Sequence, residues 1–299
     1  MIDLKTRFNN SIYGVVLGDV LGVPFQFYSK EFLPSSLRTD NLDRKALMFS
    51  EHKRSFYSSG INFGTFSDDT SLTLATIDAF CSIGHIPDNN DYKTIISRFT
   101  DWYEFGAYTQ TGFAWDIGNR TEHIMEYYSK YANPILKVDK TDNNSGNGAL
   151  MRFAPIPFMI KAFDMADYKD FVIKMTTITH ATSECVECAM TYTELMLDII
   201  NGIDKSELKN KYKISGKIQS SGYVVDTLNA SMWAFFTTDN FSDCICEAIK
   251  LGNDTDTVGA VAGSIAGAYY NETNEAWKKR IIDSFIVDDY INRFIKVII

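Results

Sequence analysis

The chain has no hydrophobic run long enough to cross a membrane. Its longest stretch of small and apolar residues, positions 258–270, covers 13 residues, whereas a membrane-spanning helix needs about 20. Positions 1–5 offer neither the apolar core nor the small-residue cleavage site of a secretory signal. These absences predict a cytoplasmic protein with no membrane partner.

Basic residues are in the minority. Lys and Arg number 29 against 38 Asp and Glu, which gives a net charge of −9. Binding to nucleic acid needs a basic surface, so no nucleic-acid partner is expected, although a local basic pocket remains possible. Hydrophobic residues make up 45% of the 299 residues, which is enough for a sizeable core.

Cysteines are few and odd in number, five in all. The pairs Cys185/Cys188 and Cys244/Cys246 have spacings that could suggest zinc, but the second spacing is unusual for such a site. Cys185 and Cys188 also share a helical apolar stripe with Tyr192. We therefore expect buried thiols that behave as small hydrophobic side chains.

Strand-like alternation, internal repeats and low-complexity linkers are all scarce, whereas helical periodicity recurs along the chain. It predicts one all-α domain covering residues 1–299. Polar loops are expected at roughly 29–63 and at 141–147. The predicted helices are 8–22, one from 68 to about 83, 91–105, 120–131, 166–178, 181–201, 204–211, 222–236, 241–251, 255–270 and 275–284. In the helix at 255–270, glycines at every fourth position predict a neighbour packed closely against its backbone.

Two short acidic segments stand out, Ser67-Asp68-Asp69-Thr70 and Asp254-Thr255-Asp256-Thr257. Each precedes an apolar, helix-like run. Gathering like charges is costly unless a cation lies between them, and carboxylate and hydroxyl oxygens suit Mg²⁺, Mn²⁺ or Ca²⁺. We therefore expect the segments to meet around two metal ions. The alternative is that each segment only caps its helix.

Three further features suggest ligand contacts. Residues 145–148, Ser-Gly-Asn-Gly, form a turn whose N–H groups could bind a diphosphate. His180 precedes a predicted helix and is either a structural or a ligand-binding histidine. Arg152 lies in an apolar stretch, and its charge could serve a phosphate or a buried structural contact.

Five further segments are GVVLGDVLGVP (14–24), GTFSDDTS (64–71), GNGALMR (146–152), GYVVDTL (222–228) and GNDTDTVG (252–259). Two shorter ones are Ala-Trp-Asp-Ile-Gly at 114–118 and Thr179-His180. Taken in this order, the segments resemble the signature blocks of the ADP-ribosylglycohydrolase family.

The resemblance implies a single orthogonal multi-helix bundle with a central cleft holding two Mg²⁺ or Mn²⁺ ions. It implies hydrolysis of the bond between C1″ of ADP-ribose and an acceptor side chain. Arginine is the expected acceptor, and linkages to serine, to a nucleobase or in free ADP-ribose derivatives are the alternatives. Residues that would bind the metals are Ser67, Asp68, Asp69, Asp254, Asp256 and Thr257. Residues that would bind ADP-ribose or its acceptor are Asp116, Ser145, Gly146, Asn147, Gly148 and His180.

Catalytic roles are expected for Asp68, Asp69, Asp116 and Asp256. A metal pair can lower the pKa of a bridging water or bind the ribose 2″- and 3″-hydroxyls, and the sequence does not choose between these roles. Asp116 could bind a substrate guanidinium or instead serve as a helix cap or a core hydrogen-bond partner. The partner would be an ADP-ribosylated protein, with ADP-ribose as ligand.

The sequence departs from the family pattern at Gln26, where many relatives have a glutamate described as a general base. An amide cannot accept a proton at neutral pH. The metals alone, Asp19 or Asp116 could supply the missing function, or turnover could be low. A catalytically weak protein that binds ADP-ribose is therefore the alternative hypothesis to a hydrolase.

Overall fold

The computed structural model describes residues 3–33, 60–131, 144–214 and 216–299. Within these ranges the chain forms thirteen α-helices and no β-strand, which confirms the all-α prediction. Most of the predicted loop at 29–63 and the first part of that at 141–147 lie outside the described residues. The helices are α1 (Leu4–Gly22), α2 (Asp68–Ile83), α3 (Tyr92–Phe105), α4 (Asn119–Lys130), α5 (Ile156–Ala162), α6 (Lys169–Thr177), α7 (Ser183–Ile200), α8 (Lys205–Lys211), α9 (Val224–Thr237), α10 (Phe241–Ile249), α11 (Thr255–Tyr270), α12 (Glu275–Lys278) and α13 (Phe285–Ile298).

Helices α1 and α11 lie antiparallel with their backbones in contact. A Cβ added to Gly14 would overlap the backbone of Gly263, and one added to Gly18 would overlap that of Gly259. Gly22 faces Asp256 in the same way. The predicted close neighbour of α11 is therefore α1, whose own glycines repeat at the same four-residue spacing. This contact fixes the C-terminal end of α1 beside the second acidic segment.

Three helices differ from the sequence predictions. The helix predicted at 275–284 ends at Lys278, because the Ile282 N–H donates to the carbonyl of Gly64 and Asp283 adopts a positive φ of 49°. Helix α13 was not predicted, although its buried side chains recur every three or four residues, at Val287, Ile291, Phe294 and Ile298. Helix α5 was not predicted as a helix either. Pro155 is its N-cap and Pro157 its second residue, positions that tolerate proline.

The core is built from apolar side chains of nearly every long helix. Phe8 of α1 packs against Phe158 and Phe294, with ring centroids 5.2 and 4.7 Å apart. Cys185 and Cys188 lie on the buried face of α7, as predicted, with 1% and 7% of their surface exposed. None of the described helices combines the length and apolar character that a bilayer crossing requires.

Candidate metal and ligand-binding site

A cavity of about 660 Å³ opens where α1 ends and where α2 and α11 begin. Its volume falls within the range of about 300–1,000 Å³ that is usual for small-molecule sites. Its walls contain carboxylates from both acidic segments at one end and a glycine-containing loop at the other. Predicted site residues that line it are Asp68, Asp116, Gly146, Asn147, Gly148, His180, Asp254, Asp256 and Thr257.

The first acidic segment begins α2, and two of its N–H groups donate to a residue of another helix, Asp19. Ser67 is the N-cap, and its hydroxyl accepts from the Asp69 N–H at 3.3 Å. The carboxylate of Asp19, from α1, accepts from the Ser67 N–H at 3.0 Å and from the Thr70 hydroxyl at 2.6 Å. Helix capping is thus carried by Ser67 and Asp19. The carboxylate of Asp68 makes no hydrogen bond to a described residue.

The second acidic segment begins α11, but its carboxylates do not cap the helix. Asp254 is at the N-cap position and its side chain makes no capping hydrogen bond. Its Oδ2 instead accepts from the Asn147 amide at 2.6 Å. Both oxygens of Asp256 are buried without an N–H or hydroxyl donor, and their polar neighbours are the carboxyl groups of Asp116 and Asp254. Capping alone therefore does not account for this segment.

The two segments meet at Asp69. Its Oδ2 accepts from the Thr257 hydroxyl at 3.3 Å and from the Ser67 hydroxyl at 3.1 Å. Its Oδ1 is buried without a hydrogen-bond partner. Ser67 and Asp69 lie behind the cavity wall, whereas Asp68 reaches it. The chain folding thus brings together residues that are remote in sequence, as the sequence predicted.

Burial raises the pKa of every carboxyl group in this cluster, and repulsion from neighbouring carboxylates raises it further for Asp68, Asp69, Asp116 and Asp256. Burial is the largest cause for Asp68, Asp69 and Asp256, whose pKa values lie well above 3.8. Neighbouring carboxylates add to the effect, Asp116 being the largest such contributor for both Asp68 and Asp256. The pKa values of Asp116 and Asp254 are raised as well, chiefly by burial.

This cluster has the chemistry of a hard-cation site. Asp69 Oδ1 and both oxygens of Asp256 are buried acceptors without donors, and no described Lys or Arg forms an ion pair with the five carboxylates. Oxygen donors of this kind fit Mg²⁺ or Mn²⁺. Among the described residues, no three Asp, Glu, His or Cys side chains lie close enough together to form a set of metal ligands. The fit therefore rests on the unpaired oxygens.

Gln26 and Asp116 form a pair at the carboxylate end of the cavity. The Gln26 amide nitrogen donates to both oxygens of Asp116, at 3.1 and 2.9 Å. Gln26 is 5% exposed, and its Oε1 is buried without a donor. Asp116 has a positive φ of 60°, and the N-cap of the following helix is Gly118. The helix-cap alternative for Asp116 is therefore wrong, and its carboxylate instead lies between the Gln26 amide and the Asp256 carboxyl group.

The loop at 145–148 is attached to the segment at 222–224. The Asn147 N–H donates to the Gly222 carbonyl at 3.1 Å, and the Val224 N–H donates to the Ser145 carbonyl at 2.9 Å. Ser145 lies behind the loop and its hydroxyl donates to Thr182 at 2.9 Å. The N–H groups of Gly146 and Gly148 donate to no described residue. They are therefore available to an anionic ligand.

His180 packs against this loop. A Cβ at Gly148 would lie 2.8 Å from the His180 Cε1 atom and 3.3 Å from Nε2, so the imidazole occupies the space that a larger residue would fill. His180 is 3% exposed. Burial, followed by the charge of Arg152 and Arg120, lowers its pKa to about 3. His180 is therefore uncharged at neutral pH.

Arg152 has a structural role. It is fully buried, and its guanidinium donates to the Met175 carbonyl at 3.1 Å and to the Thr179 hydroxyl at 2.9 Å. Its Cζ lies 4.7 Å from the centroid of the Phe99 ring. Of the two roles considered from sequence, direct phosphate binding is excluded for the described arrangement, because Arg152 does not line the cavity.

Sequence reasoning missed the position of Asp19 and the contribution of Arg120. Asp19 binds the start of α2 and does not line the cavity, which removes it as a candidate base. Its signal was present in the GVVLGDVLGVP block, where an isolated acid occurs among apolar residues and glycines. Arg120 lines the cavity and its Nε donates to the Thr179 carbonyl at 3.3 Å; no pattern in the sequence distinguished it.

The chain is similar to proteins that act on ADP-ribose linkages. It is 30% identical over 285 residues to the ADP-ribosylarginine hydrolase Tri1 of Pseudomonas putida (strain GB-1), covering 88% of this chain and 70% of that one. It is 25% identical over 277 residues to the ADP-ribosyl-[dinitrogen reductase] glycohydrolase of Rhodospirillum rubrum, covering 88% and 85% of the two chains. A solved structure, titled ADP-ribosylglycohydrolase-related protein complex, superposes with a TM-score of 0.76 at 22% identity, over 99% of each chain.

The family model for ADP-ribosylglycohydrolase matches residues 1–297. The match spans both acidic segments, the loop at 145–148 and His180. With the all-helical fold, this coverage shows that the chain belongs to the ADP-ribosylglycohydrolase family.

Proposed function

We propose that this protein is a hydrolase that removes ADP-ribose from modified protein side chains, with the N-glycosidic linkage to arginine as its substrate. The observation that carries the proposal is the buried carboxylate cluster with unpaired oxygens, which opens into the same cavity as a loop with unpaired N–H groups. Two relatives named as ADP-ribosylarginine hydrolases, from Pseudomonas putida and Serratia proteamaculans, support the linkage.

The carboxylate end would hold two divalent cations, Mg²⁺ or Mn²⁺. Ser67, Asp68, Asp69, Asp254, Asp256 and Thr257 are the proposed ligands. Bound cations would supply Lewis-acid stabilisation of charge at the reacting sugar. The chain itself supplies the alignment: Asp19 fixes the start of α2 and Asn147 fixes the Asp254 carboxylate.

The loop end would bind the diphosphate. Gly146 and Gly148 present N–H groups without carbonyl acceptors, and His180 lies directly against them. Asn147 connects the two ends, because its side chain donates to Asp254 at 2.6 Å and to Thr227 at 2.9 Å. A ligand with a sugar at one end and phosphates at the other would therefore lie along the length of the cavity.

Asp116 would bind the guanidinium of the arginine acceptor. Its carboxylate faces the cavity and is already oriented by the Gln26 amide. Hydrolysis adds water across the C1″–N bond and gives free ADP-ribose and an unmodified arginine. Carboxylates recognise guanidinium groups through paired charge-assisted hydrogen bonds, which makes this position suited to arginine over serine acceptors.

The test is turnover on a panel of acceptors. Proteins carrying ADP-ribose on arginine, on serine and on other side chains are incubated with the enzyme, with Mn²⁺ or Mg²⁺ and with EDTA, and released ADP-ribose is measured. We expect release from arginine with either cation and none with EDTA. Equal release in EDTA would contradict the metal proposal, and release from serine alone would contradict the acceptor.

A second candidate function follows from Gln26. With an amide where relatives have a carboxylate, the site could bind ADP-ribose and turn over slowly. Tight binding of free ADP-ribose, with no release from any modified acceptor, would favour this binding protein over the hydrolase.

A further inference from the structure

Thr179 lies between a buried arginine and the cavity histidine. Its hydroxyl oxygen is 2.9 Å from Arg152 Nη2 and 2.9 Å from His180 Nδ1. Thr179 is 1% exposed and Arg152 is fully buried, so water does not compete for these contacts. The three side chains form a continuous line from the core to the cavity wall.

The hydrogens in this line can be assigned from donor and acceptor capacity. A guanidinium only donates, so the Thr179 oxygen accepts from Arg152. The threonine hydroxyl has one hydrogen, and its other neighbour among the described residues is His180 Nδ1. If Nδ1 carried a hydrogen, the buried hydroxyl hydrogen would have no acceptor there, an arrangement that folded proteins avoid. Nδ1 is therefore the acceptor.

We propose that Arg152, acting through the Thr179 hydroxyl, fixes His180 as the neutral tautomer with its hydrogen on Nε2, and that this N–H donates to an anionic oxygen of the ligand. The identity of that ligand as ADP-ribose rests on the proposed function. The tautomer does not. In this assignment Arg152 and Thr179 are positioning residues, and only His180 touches the ligand.

The placement of Nε2 supports this role. Cβ atoms at Gly146 and at Gly148 would each lie 3.3 Å from Nε2, so Nε2 lies beside the loop whose glycine N–H groups donate to no described residue. Nε2 forms no hydrogen bond to a described residue, and His180 lines the cavity. Arg152 and Arg120, the cations that face His180, disfavour a second proton on the ring. His180 thus offers a directed donor without adding a charge.

Backbone hydrogen bonds hold residues 178–180 in place. The Thr179 carbonyl accepts from Arg120 at 3.3 Å, and the Ile178 carbonyl accepts from the Tyr128 hydroxyl at 2.6 Å. The His180 N–H donates to the Thr176 carbonyl at 3.1 Å. Residues 178–180 are therefore held on several sides, and the Thr179 side chain has little freedom to turn away.

The test combines histidine NMR with ligand binding in two matched variants. Thr179→Val keeps the shape of the side chain and removes the hydroxyl, whereas Thr179→Ser keeps the hydroxyl. The full chain contains four histidines, so ¹⁵N-histidine labelling with a His180→Gln variant identifies the His180 signals. We expect the Nε2–H tautomer at neutral pH in the wild type and in Thr179→Ser, and a shift towards the other tautomer in Thr179→Val.

Binding of ADP-ribose is measured by calorimetry on the same samples. We expect Thr179→Val to bind about tenfold more weakly, the effect of losing one hydrogen bond to a charged group, and Thr179→Ser to bind as the wild type does. An Nδ1–H tautomer or an imidazolium in the wild type would overturn the assignment; the tautomer is read on the wild type, and His180→Gln serves only to identify the His180 signals.

The two proposals fail in distinguishable ways. If the wild type shows the Nε2–H tautomer but does not bind ADP-ribose, the proposed function and the ligand named here are both wrong, and the tautomer assignment stands. If ADP-ribose binds equally to Thr179→Val despite a changed tautomer, the donor role of His180 is overturned while the proposed function survives.

Discussion

The two ends of the cavity differ in the kind of polar group that the protein leaves without a partner. At the carboxylate end these groups are acceptors: both oxygens of Asp256 and one of Asp69 are buried without donors, and burial and neighbouring negative charges raise the pKa of Asp256. At the loop end they are donors: the N–H groups of Gly146 and Gly148 donate to no described residue, and Arg152 Nε and Nη1 are buried without acceptors, although Nη2 donates to Thr179. The fold therefore leaves buried acceptors unpaired at one end and donors unpaired at the other.

This difference indicates which group each end of the cavity would bind. Buried acceptors without donors favour a cation, which would offset their repulsion. Unpaired N–H groups and a neutral histidine favour an anionic oxygen without adding positive charge. The predictions below separate these two roles, beginning with the largest expected effect.

Removing carboxylates from both acidic segments should abolish turnover. In Asp68→Ala/Asp256→Ala, we expect less than about one thousandth of wild-type release of ADP-ribose from modified arginine, because single electrostatic groups are each worth about 10²–10³-fold. The control is Asp170→Ala, at an exposed carboxylate of α6. Wild-type rates from the double variant, measured with Mn²⁺, would contradict the proposed site.

Adding a methyl group at the loop end should weaken the binding of ADP-ribose and leave the carboxylate end unchanged. A Cβ at Gly148 would lie 2.8 Å from His180 Cε1 and 3.1 Å from Thr121 Oγ1, so Gly148→Ala displaces the imidazole. We expect ADP-ribose to bind about tenfold more weakly, as for the loss of one charge-assisted hydrogen bond.

Gly118→Ala is the matched control. Gly118 also lines the cavity, but an added Cβ would meet no atom within 4 Å. Thermal stabilisation of Gly148→Ala by Mn²⁺ should remain that of the wild type. Loss of the Mn²⁺ effect in this variant would mean that the two ends are not separable.

Neutralising one unpaired carboxylate should stabilise the metal-free protein. The pKa of Asp256 is raised by burial and by Asp116 and Asp254, so above the ordinary pKa of 3.8 its ionisation costs stability. In EDTA at pH 7 we expect Asp256→Asn to melt a few degrees higher, about 2–4 °C for each kcal/mol gained.

The pH dependence of the melting temperature is the control for the stabilisation expected in Asp256→Asn. The advantage of Asp256→Asn should shrink as the pH falls towards 3.8, where the wild-type carboxyl becomes protonated in both folded and unfolded chains. With Mn²⁺, the wild type should gain more in melting temperature than the variant. A lower melting temperature for Asp256→Asn in EDTA would contradict the electrostatic cost assigned to this end.

The last prediction concerns Gln26, where the direction of the change is what is tested. In Gln26→Glu, a second carboxylate lies beside Asp116, and repulsion raises the pKa of the pair so that one group can accept a proton near neutrality. We expect kcat on ADP-ribosyl-arginine to rise by less than the roughly 10²-fold that a well-positioned base provides. Gln26→Leu is the control and should show no rise. An unchanged kcat in Gln26→Glu would mean that a base at this position does not limit the reaction.

Local sequence patterns accounted for most helices and for the composition of the site. The prediction for 255–270 matches α11 at both ends, because helical periodicity is a local property of the sequence. The glycines of α11 correctly indicated a close neighbour. The acidic segments were identified from composition alone, and their metal and catalytic roles remain predictions.

What the sequence could not determine depended on contacts between distant residues. The end of α12 was set by the bond from Ile282 to Gly64, and the role of Asp19 by donors from α2. The pairing of Gln26 with Asp116 joins residues 90 positions apart.

The sequence by itself thus determined that this protein is helical and carries two groups of oxygen ligands, because periodicity and side-chain chemistry are written residue by residue. Only the tertiary structure decided which carboxylates cap helices and which remain unpaired, and that the hydroxyl of Thr179 connects Arg152 to His180. The reason is physical: burial and hydrogen-bond partners exist only after the chain has folded.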